Sequence, residues 1–440
     1  MRELVVNLSG TRLSLTRMAW WGAWALALSS DIVSGALRYV LHLAGADWLN
    51  YLPKMLVVTL AILALLTWRQ NRTVCILAGG FGLFSLIALI QGLPIAQIAF
   101  GATIFLPILF GALFWPFITE RPQRFAVLAV LGLLVACGGL LWNLLGNIPW
   151  AGFSYEIGGL EIEGAREWAT FGLVRPSGFA RMSATAAIQV MALTLLLYPA
   201  LSMRSWLLAG IFALFGLAFV ALTTTKAAIA ATLVMLILTW LRPLKLHGPV
   251  LWLVFALSIG VPFTSTVKDY GVDYSDRVET ALLASFDQRL TETWPEGLRL
   301  ISEHSIPLLG LGLSGVGAGN KYFGTVQGGL MGLGVMDNYA LYLYGNFGVA
   351  GLLFLALQYL AAVRLIGSKE PLRCGMGLAL GALLVLGFTT DAVENLLSAL
   401  IIGIALRASS SNALNTVLLS LRPKRPRRVK RQAHGVECCS

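Results

Sequence analysis

Charged residues are scarce in this chain: Asp, Glu, Lys and Arg make up only 12% of its 440 residues. Hydrophobic residues make up 57%, and the mean hydropathy is +0.78. This balance excludes an ordinary soluble globular protein and is typical of proteins with many membrane-spanning segments. Apolar runs of the roughly 20 residues that a spanning helix needs recur along nearly the whole chain. The sequence therefore predicts one integral membrane domain.

Cysteine is also rare, with five residues and no spacing typical of a metal site. Three of them lie in or beside apolar runs, and Cys438 and Cys439 lie next to the C-terminus. No two of them lie in the segments where a disulfide is expected. We therefore expect the cysteines to be inert, and we expect no metal site and no cofactor.

Twelve apolar runs are predicted to cross the membrane as helices, which makes the chain an all-α polytopic membrane protein. The integral membrane domain then covers residues 1–407, and a basic tail covers residues 408–440. The predicted spans are about residues 18–46, 53–68, 74–94, 96–118, 125–145, 183–201, 205–222, 226–241, 248–264, 338–363, 374–390 and 394–406.

Basic residues are concentrated on one side of these predicted spans. The two termini and the short segments between alternate spans hold 21 of the 32 Lys and Arg but only 4 of the 21 acidic residues. Because Lys and Arg in short loops mark the cytoplasmic side, both termini are expected in the cytoplasm. This bias accounts for the net charge of +11, so nucleic acid is not an expected partner. The cations of the tail either bind anionic lipid or only reinforce the orientation.

Two connections on the opposite, periplasmic side are long, at about residues 146–182 and 264–336. Loops longer than about 15 residues are usually functional or disordered. The second loop has apolar residues at three- and four-residue steps, which predicts an amphipathic helix or pair of helices. These residues are Leu283, Phe286, Leu290, Trp294, Leu298 and Ile301.

Both long loops carry cations that the cytoplasmic charge bias does not explain. Arg175 and Arg289 are the leading candidates, because a guanidinium binds phosphate through two hydrogen bonds and does not lose its proton. Such a pair suits a diphosphate that is held and then released. Arg181 and Lys321 are similar candidates, and Lys226 at a span end either snorkels or joins the same site. The alternative for each loop arginine is a surface ion pair with the acids of the same loops.

Few charges fall within the predicted spans or at their turns. Asp31 and Arg38 lie in the first span, and Asp391 and Glu394 lie at the turn between the last two. A secondary transporter more often carries such groups near the bilayer midplane on repeated, broken helices. No convincing internal repeat is present. The distribution therefore favours chemistry at the membrane surface over transport.

The tenth span begins with the polar stretch Asp337, Asn338 and Tyr339. Asp337 or Asn338 would cap the helix by accepting hydrogen bonds from its first amides. A carboxylate beside the large loop would also serve as a general base for a substrate hydroxyl. We therefore predict Asp337 as catalytic, with Asn338 and Tyr339 as substrate contacts. Glu303 and His304 are reserve candidates, and His304 is better suited to a local hydrogen bond.

Several stretches together resemble the superfamily of O-antigen ligases and Wzy-type polysaccharide polymerases. The resemblance includes the twelve-span topology and the large loop before the tenth span, so it extends over most of the chain. Its specificity lies in the order and spacing of the stretches. They are RPSGFARMSATAA (175–187), TTTKAAIAATLVM (223–235), RLTETWPEGLRLISEHSIPLLGLG (289–312) and MDNYALYLYGNFGVAGLLFLALQ (336–358).

The resemblance implies a metal-independent, inverting glycosyltransferase of the GT-C type in the bacterial inner membrane. Its active site would face the periplasm, and its donor would be a glycan on undecaprenyl diphosphate. Arg175 and Arg289 match the family arginines that hold the donor diphosphate. Asp337 stands where the ligases typically carry a His, which favours a polymerase over a ligase acting on lipid A core. The TTTK segment departs from a more usual Ser-Arg-Gly pattern, which weakens the case for Lys226.

The expected partners follow from the same resemblance. They are the lipid-linked glycan, membrane lipid, and a chain-length regulator or flippase of the same biosynthetic route. The product would be lipopolysaccharide O antigen, capsule or exopolysaccharide. A non-enzymatic flippase or transporter of lipid-linked glycans is the remaining alternative from a different class.

Overall fold

The computed structural model describes residues 5–8, 11–67, 71–157, 160–170, 173–264, 285–323 and 333–421, and these residues are mostly helical. The predicted tail beyond residue 421, and Leu283 of the predicted loop helix, lie outside the described residues. The α-helices are α1 Leu15–Ile32, α2 Ser34–Leu43, α3 Leu52–Thr67, α4 Arg72–Ile90, α5 Ile95–Glu120, α6 Pro122–Leu145, α7 Ser183–Ser202, α8 Trp206–Leu222, α9 Lys226–Trp240, α10 His247–Thr264, α11 Trp294–His304, α12 Ala318–Phe323, α13 Tyr339–Phe347, α14 Val349–Ile366, α15 Pro371–Leu386 and α16 Leu396–Leu421.

Seven of these helical segments are long and apolar enough to cross a membrane, which makes the chain a membrane-embedded helical protein. They are Asp47–Thr67, which is α3 with the 3₁₀ turn before it, and α4, α5, α6, α7, α10 and α14. Four apolar segments are shorter, namely α8, α9, α15 and the Leu396–Ser410 part of α16. Each of the twelve apolar runs of the sequence falls on helix in the structure. The last helix continues to Leu421, past the boundary predicted at residue 407.

Two of the predicted spans are broken helices, and the loops explain both breaks. After α1, the amides of Gly35 and Ala36 donate to the carbonyl oxygen of Phe179, at 2.9 and 3.2 Å. Between α13 and α14, Gly348 adopts a positive φ of 57° and lies against the backbone of Leu308. A Cβ at Gly348 would come within 2.4 Å of that backbone, so only glycine fits there.

The core of the bundle is formed by helices that are buried on most sides. α5 and α7 are the most enclosed of the seven long segments, whereas α3, α4 and α10 expose most of their apolar surface. α1 packs on α5 through stacked rings of Trp20, Phe110 and Phe114. Because large apolar side chains such as Leu145 and Trp206 are fully exposed, the outer surface suits lipid more than water.

The closest helix packing lies between α5 and α16 and depends on two small residues. A Cβ at Gly111 would come within 2.3 Å of the Leu400 carbonyl oxygen, and one at Gly403 within 1.9 Å of the Ile108 carbonyl oxygen. Small residues at such crossings allow the backbones of two membrane helices to approach closely.

We expect Gly403→Ala to lower stability, because the new methyl group meets backbone that cannot move without separating the helices. Overpacking of this kind costs about 1–3 kcal/mol. Gly210→Ala on α8 is the matched control, since the space around a Cβ there is open and Ala favours helix by about 1 kcal/mol. Thermal unfolding of both variants in detergent checks the difference. Equal midpoints would contradict the close packing of α5 on α16.

The described chain also contains three short antiparallel hairpins, the first of which precedes α1. β1 Val5–Leu8 pairs with β2 Thr11–Ser14, β3 Ser154–Ile157 with β4 Leu160–Glu163, and β5 Ala169–Thr170 with β6 Leu173–Val174. The last two hairpins lie in the first predicted loop. In the second loop, a π-helical turn at Arg289–Thr293 leads into α11. The predicted amphipathic helix is confirmed here, because Leu290, Trp294 and Ile301 are buried.

Candidate functional site

Arg175 is positioned by the hairpin before it and by the turn after it. Its amide donates to the carbonyl oxygen of Trp168 at 2.8 Å, which closes the β5–β6 hairpin. The side chain of Asn143 at the end of α6 then accepts hydrogen bonds from the amides of Ser177 and Gly178, at 2.9 and 3.2 Å. The backbone on both sides of Arg175 is therefore tied to the bundle.

The guanidinium of Arg175 extends to the turn between α8 and α9. Its Nε donates to the hydroxyl of Thr224 at 2.9 Å, and its Nη2 donates to the carbonyl oxygen of Thr224 at 2.8 Å. Thr224 has a positive φ of 53°, which directs both oxygens toward the arginine. Lys226 follows as the first residue of α9, and its ammonium interacts electrostatically with both Arg175 and Arg289.

Arg289 forms an ion pair with Asp337 across the second loop. Its Nε and Nη2 both contact Oδ2 of the carboxylate at 3.1 Å, and its Nη1 donates to the Ser285 carbonyl oxygen at 2.9 Å. The guanidinium is 21% exposed and the carboxylate 31%, so a ligand can reach both. Within the described chain, no hydrogen bond reaches the second carboxylate oxygen, Oδ1.

Asp337 is held in a strained backbone conformation directly before α13. Its φ is 49°, in the left-handed region, and its carbonyl oxygen accepts a hydrogen bond from the Trp294 indole at 3.4 Å. The next residue, Asn338, caps α13 by accepting from the Leu341 amide at 2.9 Å, and it donates to the carbonyl oxygens of Ser258 and Phe388. Strained, over-determined residues cluster at functional sites. The predicted helix cap is thus Asn338, which leaves the carboxylate of Asp337 available for other contacts.

These residues form what we call the cation–carboxylate cluster: Arg175, Lys226, Arg289 and Asp337. Burial lowers the pKa of Arg175, and the positive charge of Arg289 lowers it further. Arginine stays protonated despite this shift. Beyond burial, the lowered pKa therefore reflects repulsion between positive charges that the nearby carboxylate does not fully offset. A dianionic group bound here would relieve that repulsion and form charge-assisted hydrogen bonds.

The remaining predicted site residues lie elsewhere. Tyr339 is buried and hydrogen-bonded to Gln358 at 3.2 Å, inside the bundle. Glu303 pairs with Arg299 at 2.7 Å on the exposed face of α11. His304 contacts the Leu300 carbonyl oxygen at 3.1 Å, which is the local hydrogen bond expected of it. These three side chains do not join the cluster.

Arg181 and Lys321 lie beside a second polar feature, a partly open cavity of about 210 Å³ that we call the polar cavity. Arg181 donates from Nε to the Glu163 carbonyl oxygen at 3.0 Å and from Nη2 to the Tyr322 hydroxyl at 3.3 Å. Lys321 lies 3.9 Å from the Glu163 carboxylate. The charged residues that line the cavity are Asp31, Arg38, Lys54, Arg181, Asp391 and Glu394.

Sequence reasoning singled out five of these six charges but did not bring them together, and it missed Lys54. The signal for Lys54 was its position: a lysine in the first turn of an apolar helix, after Pro53. Such a residue is easily taken for a snorkelling cation at a helix end. Only the packing of α3 against α1 and α5 directs it into the bundle.

The cluster and the cavity are linked through the turn between α15 and α16. Burial raises the pKa of Asp391, and the negative charges of Glu394 and Asp337 raise it further. Burial also raises the pKa of Glu394, while the Ala318 amide, Lys54 and Arg181 act in the opposite direction. Asp391 thus interacts electrostatically with Asp337, and Glu394 interacts with the cavity cations Lys54 and Arg181.

Comparison of the chain with protein-family models and with curated protein sequences gives no match.

We expect the stability of the protein to depend on pH through Glu394. Because burial raises its pKa, the neutral form is favoured in the folded state, and that contribution is present below the unfolded pKa of about 4.3. It is lost as the pH rises through the folded pKa. Glu394→Gln should therefore raise the unfolding midpoint more at pH 8 than at pH 4. Each unit of pKa displacement corresponds to about 1.4 kcal/mol.

Glu296→Gln is the control, because the pKa of Glu296 is shifted in the opposite direction to that of Glu394. The hydrogen bond from Arg299 lowers the pKa of Glu296, so its contribution is present at high pH and is lost as the pH falls. Thermal unfolding at pH 4 and pH 8 compares the two variants with the unaltered protein. If Glu394→Gln changes the unfolding midpoint equally at pH 4 and pH 8, a raised pKa of Glu394 is contradicted.

Proposed function

We propose that this chain is a polysaccharide polymerase of the bacterial inner membrane. It transfers a glycan from undecaprenyl diphosphate to a sugar hydroxyl of a second lipid-linked repeat. In this proposal all twelve helical runs cross the membrane, both termini are cytoplasmic, and the cation–carboxylate cluster faces the periplasm. A lipid-linked donor suits that side, because nucleotide sugars are not available there.

The observation that carries the proposal is the convergence of Arg175, Lys226, Arg289 and Asp337. They come from three segments far apart in the sequence, and a packed bundle gains nothing from bringing three cations together. A diphosphate leaving group carries the complementary charge, and preorganised cations stabilise charge that develops in a transition state. A carboxylate beside them supplies the base that a hydroxyl nucleophile needs.

The reaction follows from these positions. The acceptor hydroxyl oxygen attacks the anomeric carbon of the donor sugar and forms the new glycosidic bond, while its proton passes to Asp337. The bond from the anomeric carbon to the diphosphate oxygen breaks, and the electron pair leaves with the diphosphate. Arg175, Arg289 and Lys226 neutralise that charge. Attack opposite to the leaving group inverts the anomeric configuration.

The ion pair between Arg289 and Asp337 sets the order in which donor and acceptor bind. While the site is empty, Arg289 neutralises the carboxylate that must act as base. A bound diphosphate competes for the same guanidinium, because phosphate is also a bidentate acceptor for arginine. Donor binding would then weaken the ion pair and leave Asp337 available to the acceptor hydroxyl.

The test uses purified protein with a lipid-linked repeat, with and without lipid A core as acceptor, in the presence of EDTA. Formation of a ladder without lipid A core supports the polymerase. Transfer to lipid A core alone would instead identify an O-antigen ligase, which shares the donor chemistry. Absence of turnover with either acceptor would contradict both enzymes and leave a flippase or transporter of the same lipid-linked glycan.

A further inference from the structure

The polar cavity contains two cations without a partner. In the described parts of the chain, neither Arg38 nor Lys54 forms a hydrogen bond or an ion pair, although both line the cavity. Arg38 lies on α2 and Lys54 on α3, and each interacts electrostatically with Arg181. Three cations therefore line one partly open cavity.

A cation that is largely withdrawn from water gains most from a direct anionic partner. Asp31 and Glu394 attract Lys54 electrostatically, but they do not pair with it directly. Asp31 accepts a hydrogen bond from Gln189 at 3.0 Å, and Glu394 accepts from the Ala318 amide at 2.7 Å. Among the described residues, no carboxylate lies within ion-pair distance of Arg38, Lys54 or Arg181. The cations remain available for an anionic ligand.

The cavity is also lined by hydrogen-bond acceptors and aromatic rings. Asp391 and Glu394 at the turn between α15 and α16 present carboxyl groups, and Asn50 adds an amide. Phe100 and Tyr322 contribute aromatic rings with centroids 6.0 Å apart. Carboxyl and amide groups accept hydrogen bonds from hydroxyls, and rings pack on apolar faces. A ligand that uses both the cations and these groups carries an anionic group and several hydroxyls.

The size of the cavity limits the ligand further. At about 210 Å³ it is smaller than the pockets of about 300–1,000 Å³ that hold drug-sized molecules. It suits one sugar ring and is too small for a whole oligosaccharide repeat. Asp391 also interacts electrostatically with Asp337 and Arg289, so this part of the cavity lies near the cation–carboxylate cluster.

We propose that the polar cavity binds one acidic sugar, with its carboxylate on Arg38, Lys54 and Arg181 and its hydroxyls on Asp391 and Glu394. The assignment of this sugar to the acceptor repeat rests on the proposed function. The binding of an acidic sugar to the cavity does not depend on that function. The polymer would then contain a uronic acid or a related sugar acid, positioned so that a ring hydroxyl reaches Asp337.

The experiment measures binding of radiolabelled D-glucuronate to the purified full-length protein by equilibrium dialysis, in the absence of any lipid-linked donor. Arg38→Gln and Lys54→Met each remove one unpartnered charge and keep much of the side-chain volume. Each should weaken binding at least about tenfold, the usual effect of losing a hydrogen bond to a charged group. Arg204→Gln, on the turn between α7 and α8, is the control and should leave binding unchanged.

Competition by unlabelled D-glucose and by inorganic phosphate identifies the chemistry of the ligand. The proposal expects both to compete at least about tenfold more weakly than unlabelled glucuronate. Glucose competing equally would overturn the role of the cations, and phosphate competing equally would overturn the sugar in favour of a phosphate group. No binding, or unchanged binding by folded Arg38→Gln and Lys54→Met proteins, would also overturn it.

This experiment separates the cavity proposal from the proposed function. Glucuronate binding by a protein that forms no polymer from a lipid-linked repeat would contradict only the polymerase. Polymer formation by a protein that does not bind glucuronate would contradict only the acidic sugar. Size-exclusion chromatography of each variant in detergent confirms that the compared proteins are folded.

Discussion

Arg289→Gln is expected to lower the rate of glycan transfer by about 10²–10³, the usual effect of removing one preorganised donor from a charged transition state. The variant loses the guanidinium that contacts Asp337 at 3.1 Å and would contact the leaving diphosphate. Glutamine keeps a polar side chain of similar reach, so the π-helical turn and α11 should still form. The measurement is polymer formed per unit time from a lipid-linked repeat by purified protein.

Arg299→Gln is a matched control for this variant. Arg299 lies ten residues further along the same loop segment, but it is 53% exposed and pairs only with Glu296 and Glu303 on the surface of α11. Exposed pairs of this kind contribute at most about 1 kcal/mol to stability. We expect Arg299→Gln to retain full activity. Equal activity of the two variants would contradict a role for Arg289 in holding the donor.

Asp337→Asn should lower the transfer rate by about 10²–10⁴, which is the typical contribution of a positioned general base. Asparagine has nearly the same shape and tolerates the positive φ of 49° that this position requires. The backbone contacts to Trp294 and the cap by Asn338 should therefore persist. The pH dependence of the remaining activity is the second readout, since loss of the base removes the rise of rate with pH.

Glu296→Gln serves as the carboxylate control for Asp337→Asn. Glu296 also pairs with an arginine, but it lies on the exposed face of α11, away from the cluster. Its loss should leave the rate unchanged. An Asp337→Asn protein that is as active as the Glu296→Gln protein would mean that the base lies elsewhere, with Asp391 and Glu394 of the adjacent turn as the next groups to replace.

Local sequence rules were sufficient for the features that depend on neighbouring residues. The apolar runs, the amphipathic segment around Trp294 and the Asn338 cap each follow from spacing within one turn or two of helix. The pairing of Arg289 with Asp337 does not follow from such rules, because the two residues are 48 positions apart in the sequence. It depends on how the second loop folds back onto the start of α13.

The contacts that join distant helices could not be derived in this way. Arg175 lies close to Lys226 because it binds Thr224 in the turn before α9. Thr224 adopts a left-handed conformation there, which a threonine in the sequence does not predict. The polar cavity depends on α1, α3, α5, α7 and the α15–α16 turn meeting at one point. The break after α1 likewise depends on the Phe179 carbonyl of the first loop. Each of these features is a property of the packed bundle.

The central claim is that the cation–carboxylate cluster holds a lipid diphosphate. The most direct test is native mass spectrometry of the purified protein with undecaprenyl diphosphate and, as a control ligand, undecaprenyl monophosphate. We expect the diphosphate to bind at least about tenfold more tightly than the monophosphate, and Arg175→Gln and Arg289→Gln each to remove this preference while Arg299→Gln retains it. Equal affinity for the two lipids, or a preference that survives loss of both arginines, would contradict the account.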